Sequence, residues 1–155
     1  MVEIIPAIIG KDINEISQKI SLVEPYVDWA QIDISDGIFT PNITWNRPQE
    51  LNNIKSKVSL EIHLMIVNPA EHINDWINSG AKRIIVHVDS ESGYEQINLI
   101  SKKLKSKGVS FGIALNPEVL VDNIKNLAPI ADVVLLLAVS PGFSGQKFNE
   151  SILEK

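Results

Sequence analysis

The chain contains no cysteine, which excludes disulfide staples and every metal site built on thiolate. That absence suits a reducing compartment, and a cytoplasmic protein is the expectation. No apolar run approaches the roughly 20 residues that a membrane-spanning helix needs, so no membrane partner is expected. Lys and Arg form no block, and 14 of them against 19 Asp and Glu leave a formal charge of −5, which argues against nucleic acid as the main partner. The first ten residues lack a basic leader ahead of their apolar run and carry Glu3 and Pro6, so they do not read as a signal peptide. Asn42-Ile43-Thr44 and Asn149-Glu150-Ser151 match the glycosylation acceptor pattern, but such short matches matter only after secretion and are read as chance. Small molecules and protein surfaces remain as partners.

What is present is a chain of 155 residues, 45% of them hydrophobic, which fits one domain over 1–155 with a sizeable core. Short β-branched runs alternate with longer segments of helical spacing, the pattern of repeated β/α units on a parallel sheet. The runs predict strands at Val2–Ile9, Trp29–Ile34, Val58–Met65, Arg83–His87, Ser110–Leu115 and Val133–Val139. Several are almost wholly apolar, as strands covered on both faces must be. Asp12 is placed to cap a helix whose stripe is Ile13, Ile16, Ile20 and Val23. Asn68-Pro69 reads as the cap and first turn of another, ended by Gly80, and Gly108 ends the next. Shorter helices are expected at Pro48–Ile54 and Val121–Leu127, and a sixth begins in Phe148–Glu154.

Two architectures share this pattern, an open doubly wound sheet and an eightfold (β/α)8 barrel, and right-handed crossovers serve both. The polar residues decide for the barrel. Asp33, His63, His87 and Asn116 stand at or near the C-terminal ends of different strands, where barrel enzymes collect their catalytic groups. An open sheet gathers its ligand contacts at one crevice, often announced by a glycine-rich first turn. Here the first strand runs into Ile8-Ile9-Gly10-Lys11-Asp12, which lacks that fingerprint.

Asp33 lies in an otherwise apolar run, where an unpartnered carboxylate would be costly, so it needs a cation, a donor network or a substrate. Asp36-Gly37 has the simpler reading of a turn pair. His63 alone would be read as a hydrogen-bonded core residue, but beside Asp33 on a neighbouring strand end it becomes a candidate metal ligand. His87, with Asp89 two residues on, is open to either reading, and His72, in a helix of mixed polarity, reads as a solvated surface residue. The segment Ser140-Pro141-Gly142-Phe143-Ser144-Gly145-Gln146 follows a strand and leads toward a helix. Backbone N–H groups in such a loop can form an anion-binding concavity.

Taken in order, Ile5-Pro6-Ala7-Ile8, Gln31-Ile32-Asp33-Ile34-Ser35-Asp36-Gly37, Phe39-Thr40-Pro41-Asn42, His63-Leu64-Met65, Asn116-Pro117 and Ser140 to Phe148 resemble the ribulose-phosphate 3-epimerase family along essentially the whole chain. The resemblance implies a (β/α)8 enzyme of the pentose phosphate pathway that interconverts D-ribulose 5-phosphate and D-xylulose 5-phosphate. It implies one divalent metal, zinc, iron or manganese, bound by two histidines and two aspartates, that polarises the C2 carbonyl and stabilises a cis-enediolate. Two aspartates on opposite faces of the substrate would remove and return the C3 proton. By the same resemblance Asp33 is the first acid/base aspartate and a metal ligand, and His63 is a ligand. Met65 and Ala7 lie at the substrate, and Gly142, Phe143 and Gly145 hold the phosphate. His87 matches a family histidine without an assigned role. Homo-oligomers are common among such proteins.

The chain departs from the pattern at several points. Gln31 stands where the family has its other histidine ligand, and an amide oxygen is a poorer zinc ligand than imidazole. Ala7 replaces a serine, and Ser35 and Leu137 replace shielding methionines. A complete barrel needs about 250 residues, and the second aspartate and further phosphate contacts of the family belong to strands seven and eight, beyond Lys155. The expectation is therefore an incomplete barrel with about six β/α units, inactive alone. The competing functions are an epimerase, for this ketose phosphate or a relative such as allulose 6-phosphate, and a non-catalytic sugar-phosphate-binding or assembly protein.

Overall fold

Runs of Ile, Val and Leu become strands because a parallel sheet lets them bury apolar side chains against their neighbours. The computed structural model describes residues 2–90 and 93–155 and holds six such strands among them, the last still partly exposed at Val134 and Leu136. They are β1 (Ala7–Ile8), β2 (Trp29–Ser35), β3 (Ser59–Met65), β4 (Arg83–His87), β5 (Ser110–Leu115) and β6 (Val133–Leu136). All five neighbouring pairs are parallel, and the spatial order β1-β2-β3-β4-β5-β6 is the chain order. A doubly wound sheet must reverse its strand order at a switch point, so the sequential order selects the barrel. The sheet curls far enough that β1 and β6 line one cleft, giving part of a (β/α)8 barrel.

Three α-helices cover the outer face. α1 (Ile13–Val23) starts where Asp12 accepts hydrogen bonds from the N–H groups of Asn14 and Glu15, and it buries Ile16 and Ile20. α2 (Pro69–Asn78) buries Ile73 and Trp76, and α3 (Tyr94–Ser106) buries Ile97, Ile100 and Leu104. They close over Ile32, Ile34, Ile62, Leu64, Ile84, Val86, Phe111 and Ile113, all wholly buried. Trp76 meets Trp45 edge-on at 6.1 Å between ring centres, a favoured aromatic geometry. At the opposite end of the sheet from the cleft, Arg83 pairs with the buried Glu61 and lies 4.3 Å over the Trp29 ring, so neither charge is left unpaired in the core.

Several elements differ from the expectation. β1 is shorter than Val2–Ile9: among the described residues it has a strand partner on one side only, Pro6 has no N–H to give, and Val2 and Ile4 remain exposed. β6 stops at Leu136 rather than Val139, and it also lacks a second partner strand among the described residues. Asn68 precedes α2 but makes no side-chain cap. It takes a left-handed conformation at φ 48°, and its N–H bonds Ser90 instead. The helix expected at Val121–Leu127 is a 3₁₀ turn at Val121–Ile124, and a second 3₁₀ turn carrying Pro129 follows beyond that range at Ala128–Ile130. The segments at Pro48–Asn53 and Glu150–Glu154 are also 3₁₀.

Candidate active site

Strand alternation selects the side chains of the site. Along β2, Ala30, Ile32 and Ile34 point to the helices, leaving Gln31 and Asp33 on the inner face. The register sets Asp33 opposite His63 and Gln31 between Ala7 and Glu61. The result is a cluster at the C-terminal mouth of the sheet. His63 Nδ1 lies 3.0 Å from Asp33 Oδ1, and the Gln31 amide nitrogen donates to the same oxygen at 2.7 Å while standing 3.5 Å from His63 Nδ1. Asp33 Oδ2 has no protein partner among the described residues.

A cleft of about 320 Å³ opens over this cluster, a volume suited to a small molecule. Its lining joins Ala7, Gln31, Asp33, His63 and Met65 to residues 135–144, with Asp33 as its one carboxylate. Leu135, Leu137 and Ala138 make an apolar wall, and Gly142, Phe143 and Ser144 form the far rim. Gly145 lies just outside this lining, in the same loop.

That loop is clamped by amides. Asn42 Nδ2 donates to the Gly142 carbonyl at 2.7 Å across 100 residues of chain. Gln146 donates to the carbonyls of Ser140 and Phe143 at 2.7 and 2.8 Å. Gly142 adopts φ 114°, and a Cβ there would stand 3.0 Å from Thr40, so only glycine fits. With the carbonyls tied back, the N–H groups of Ser144, Gly145 and Gln146 have no protein acceptor among the described residues. A five-residue 3₁₀ turn follows in place of the helix expected to begin in Phe148–Glu154, so among the described residues no α-helix N-terminus backs the loop.

A second fixture is Asp36. Its Oδ1 accepts from Ile38 and Phe39, as a turn residue should, but its Oδ2 also accepts from Val67 at 2.9 Å, tying the loops after β2 and β3 together. Burial pushes the carboxyl up, and the N–H bonds from Val67, Ile38 and Phe39 outweigh it, so the pKa falls below its ordinary value. A depressed folded pKa stabilises above the unfolded value and is lost as pH drops through the folded one. Asp36→Asn is therefore expected to lose about 1–3 kcal/mol at neutral pH, with the gap to the parent narrowing below about pH 4, as urea titrations at both pH values would read.

Behind His63 stands His87, wholly buried. The two rings meet edge to edge, their centres 4.9 Å apart and Nε2 to Nε2 at 2.8 Å, and Phe39 packs against His87 at 4.8 Å. Burial, then the neighbouring His63 charge, pushes the His87 pKa well below its ordinary value. Its Nδ1 has no hydrogen-bond partner among the described residues. Asp89 Oδ1 is 3.7 Å away, and Asp89 is engaged instead by Asn116 Nδ2 at 2.7 Å. His72 is exposed on α2, apart from the site.

The divalent ion implied by the sequence resemblance is not matched by the residues present. Asp33 Oδ1 and His63 Nδ1 are engaged with each other, and Gln31 turns toward both its amide nitrogen, which has no lone pair to give a metal. No cluster of three or more His, Cys, Asp or Glu able to hold an ion occurs among the described residues. Asn42, Asp36 and Gln146 are the components whose roles sequence reasoning missed. The motifs contain all three, but only the folded chain reveals what they bind.

Comparison with known proteins agrees with this architecture. The profile of the ribulose-phosphate 3 epimerase family matches residues 3–155. Ribulose-phosphate 3-epimerase of Synechocystis sp. is 33% identical over 153 residues, 97% of this chain and 66% of that protein. The enzyme of the same name from Chlamydia pneumoniae is 37% identical over 153 residues, covering 97% and 65%. The chloroplastic ribulose-5-phosphate-3-epimerase of Arabidopsis thaliana is 33% identical, covering 97% and 54%. The chain thus spans slightly under two thirds of the first two relatives and about half of the third. It belongs to the ribulose-phosphate 3-epimerase family.

Proposed function

We propose that this chain supplies the first half of an epimerase site for a ketopentose phosphate, D-ribulose 5-phosphate by kinship with its relatives, and that Asp33 is the base that takes the C3 proton. The observation that carries the reading is the state of the Asp33 carboxylate. One oxygen is anchored by the two nitrogens of Gln31 and His63, and the other is left open at the cleft. An anchored carboxylate with a free lone pair is positioned for general-base work. The sugar lies against Ala7, Met65 and the Leu135–Ala138 wall, which excludes water. Its phosphate is held by the free N–H groups of the loop at Ser144 to Gln146.

One carboxylate in the described lining makes a distinctive expectation. Asp33 alone can remove the C3 proton and return a solvent-derived one on the same face, but it cannot deliver to the other face. The 155-residue chain, incubated in D₂O with each C3 epimer separately, is expected to incorporate deuterium at C3 of one epimer faster than it forms the other. NMR or mass spectrometry of the recovered sugar phosphate reads both rates. Sugar-phosphate binding without exchange of either epimer would overturn the catalytic reading and leave a binding protein.

A further inference from the structure

The mechanism above leaves His87 unused, although it is wholly buried, polar and in contact with His63. We infer that His87 is a positioning residue: its Nε2–H donates to His63 Nε2, which fixes the proton of His63 on Nδ1, where it holds the Asp33 carboxylate. This inference rests on the proposed role of Asp33.

When both imidazoles are neutral each carries one N–H, so four ring nitrogens share two protons. The 2.8 Å separation between the two Nε2 atoms requires one proton between them: none would set two lone pairs against each other, and two would set N–H against N–H. The second proton has two places to go. On His63 Nδ1 it faces the Asp33 carboxylate oxygen at 3.0 Å, a charge-assisted hydrogen bond. On His87 Nδ1 it would face Asp89 at 3.7 Å, beyond hydrogen-bond range, leaving a buried donor unsatisfied. The first arrangement wins. His87 Nδ1 then carries only a lone pair, in keeping with its lack of a partner, and an unmet acceptor is the milder of the two losses.

Packing serves the same end. The His63 and His87 planes are 23° apart, and Phe39 closes the other side of His87, so neither ring can rotate without opening the core. His63 is thereby held as a donor to one oxygen of Asp33, and the other oxygen keeps its aim into the cleft. A histidine whose second nitrogen is bound is fixed in both tautomer and orientation.

The test is the tautomer itself, read in the resting 155-residue chain by long-range ¹H–¹⁵N correlation after ¹⁵N-histidine labelling. The chain has three histidines, and the spectrum of His72→Gln assigns the exposed one. The expected pattern is Nδ1–H for His63 and Nε2–H for His87. An Nε2–H tautomer for His63, or rapid averaging between the two, would overturn the inference. His87→Gln keeps an N–H donor and is expected to preserve the His63 pattern. His87→Leu removes the donor and is expected to release His63 into a tautomer mixture, with C3 exchange slowed on the order of 10-fold or more at little change in KM. An unchanged His63 signature in folded His87→Leu, or its loss in folded His87→Gln, would also refute the role. Should the tautomers match while no C3 exchange occurs in any form, the proposed function fails and the positioning of His63 by His87 stands.

Discussion

Asp33→Asn is expected to lower C3 proton exchange by about 100- to 10,000-fold, the usual contribution of a placed general base, with little change in KM. The asparagine side chain has nearly the same shape, and its oxygen can still accept from Gln31 and His63, which now bond Asp33 Oδ1 at 2.7 and 3.0 Å. What it lacks is a basic oxygen at the cleft. A fall in kcat at constant KM identifies a group used in the transition state rather than in binding. Asp33→Glu separates position from basicity, because it keeps the carboxylate but adds a methylene. A misplacement of about 1 Å costs on the order of 100-fold, so this variant should lie between parent and Asp33→Asn. Exchange in Asp33→Asn equal to the parent would remove Asp33 from the chemistry.

Much of this site could be read from the sequence because polarity in an apolar run is informative. Asp33 stands between Ile32 and Ile34 and His63 between Ile62 and Leu64, and the core has no use for them unpartnered. The helices were legible where a stripe coincided with a cap, as at Asp12 and Ile16. Register was not. That Asp33 faces His63 rather than Glu61 depends on a two-residue shift between strands, and no local pattern encodes it. Gln31 could be recognised as a substitution, but not that its nitrogen would be turned to Asp33. The clamp from Asn42 to Gly142 joins residues 100 apart, and Asp36 looked like a turn residue because half of its hydrogen bonding is local and the other half is not. The ends of β1 and β6 were over-extended for one reason. Apolar content predicts what a strand could bury, whereas ladder length depends on the neighbour that pairs with it, and both are edges here.

The second large effect concerns position 31. Gln31→His is expected to raise zinc affinity by at least about 100-fold, since losing even a group that only orients a ligand costs 10–100-fold. Around a tetrahedral ion with bonds of about 2.0–2.1 Å, neighbouring ligand atoms stand about 3.3 Å apart. Asp33 Oδ1 to His63 Nδ1 at 3.0 Å and the Gln31 nitrogen to His63 Nδ1 at 3.5 Å lie on either side of that spacing, whereas the Gln31 nitrogen to Asp33 Oδ1, hydrogen-bonded at 2.7 Å, must open to admit an ion. The three atoms are thus close to a ligand frame, and what Gln31 lacks is a lone pair on the atom it presents. An imidazole at this position would complete a His-Asp-His set. Calorimetry with zinc on parent and variant reads the affinity, and the histidine tautomers supply an independent check. To bind an ion through Nδ1, His63 must carry its proton on Nε2. His87 must then accept at Nε2 and move its own proton to Nδ1, toward Asp89 at 3.7 Å. Zinc added to Gln31→His should thus reverse both tautomers together, while the parent keeps its pattern at the same zinc concentration. If affinity is unchanged, position 31 does not face the ion site and the ligand role inferred for it fails; if zinc binds without the paired reversal, His63 is not among its ligands.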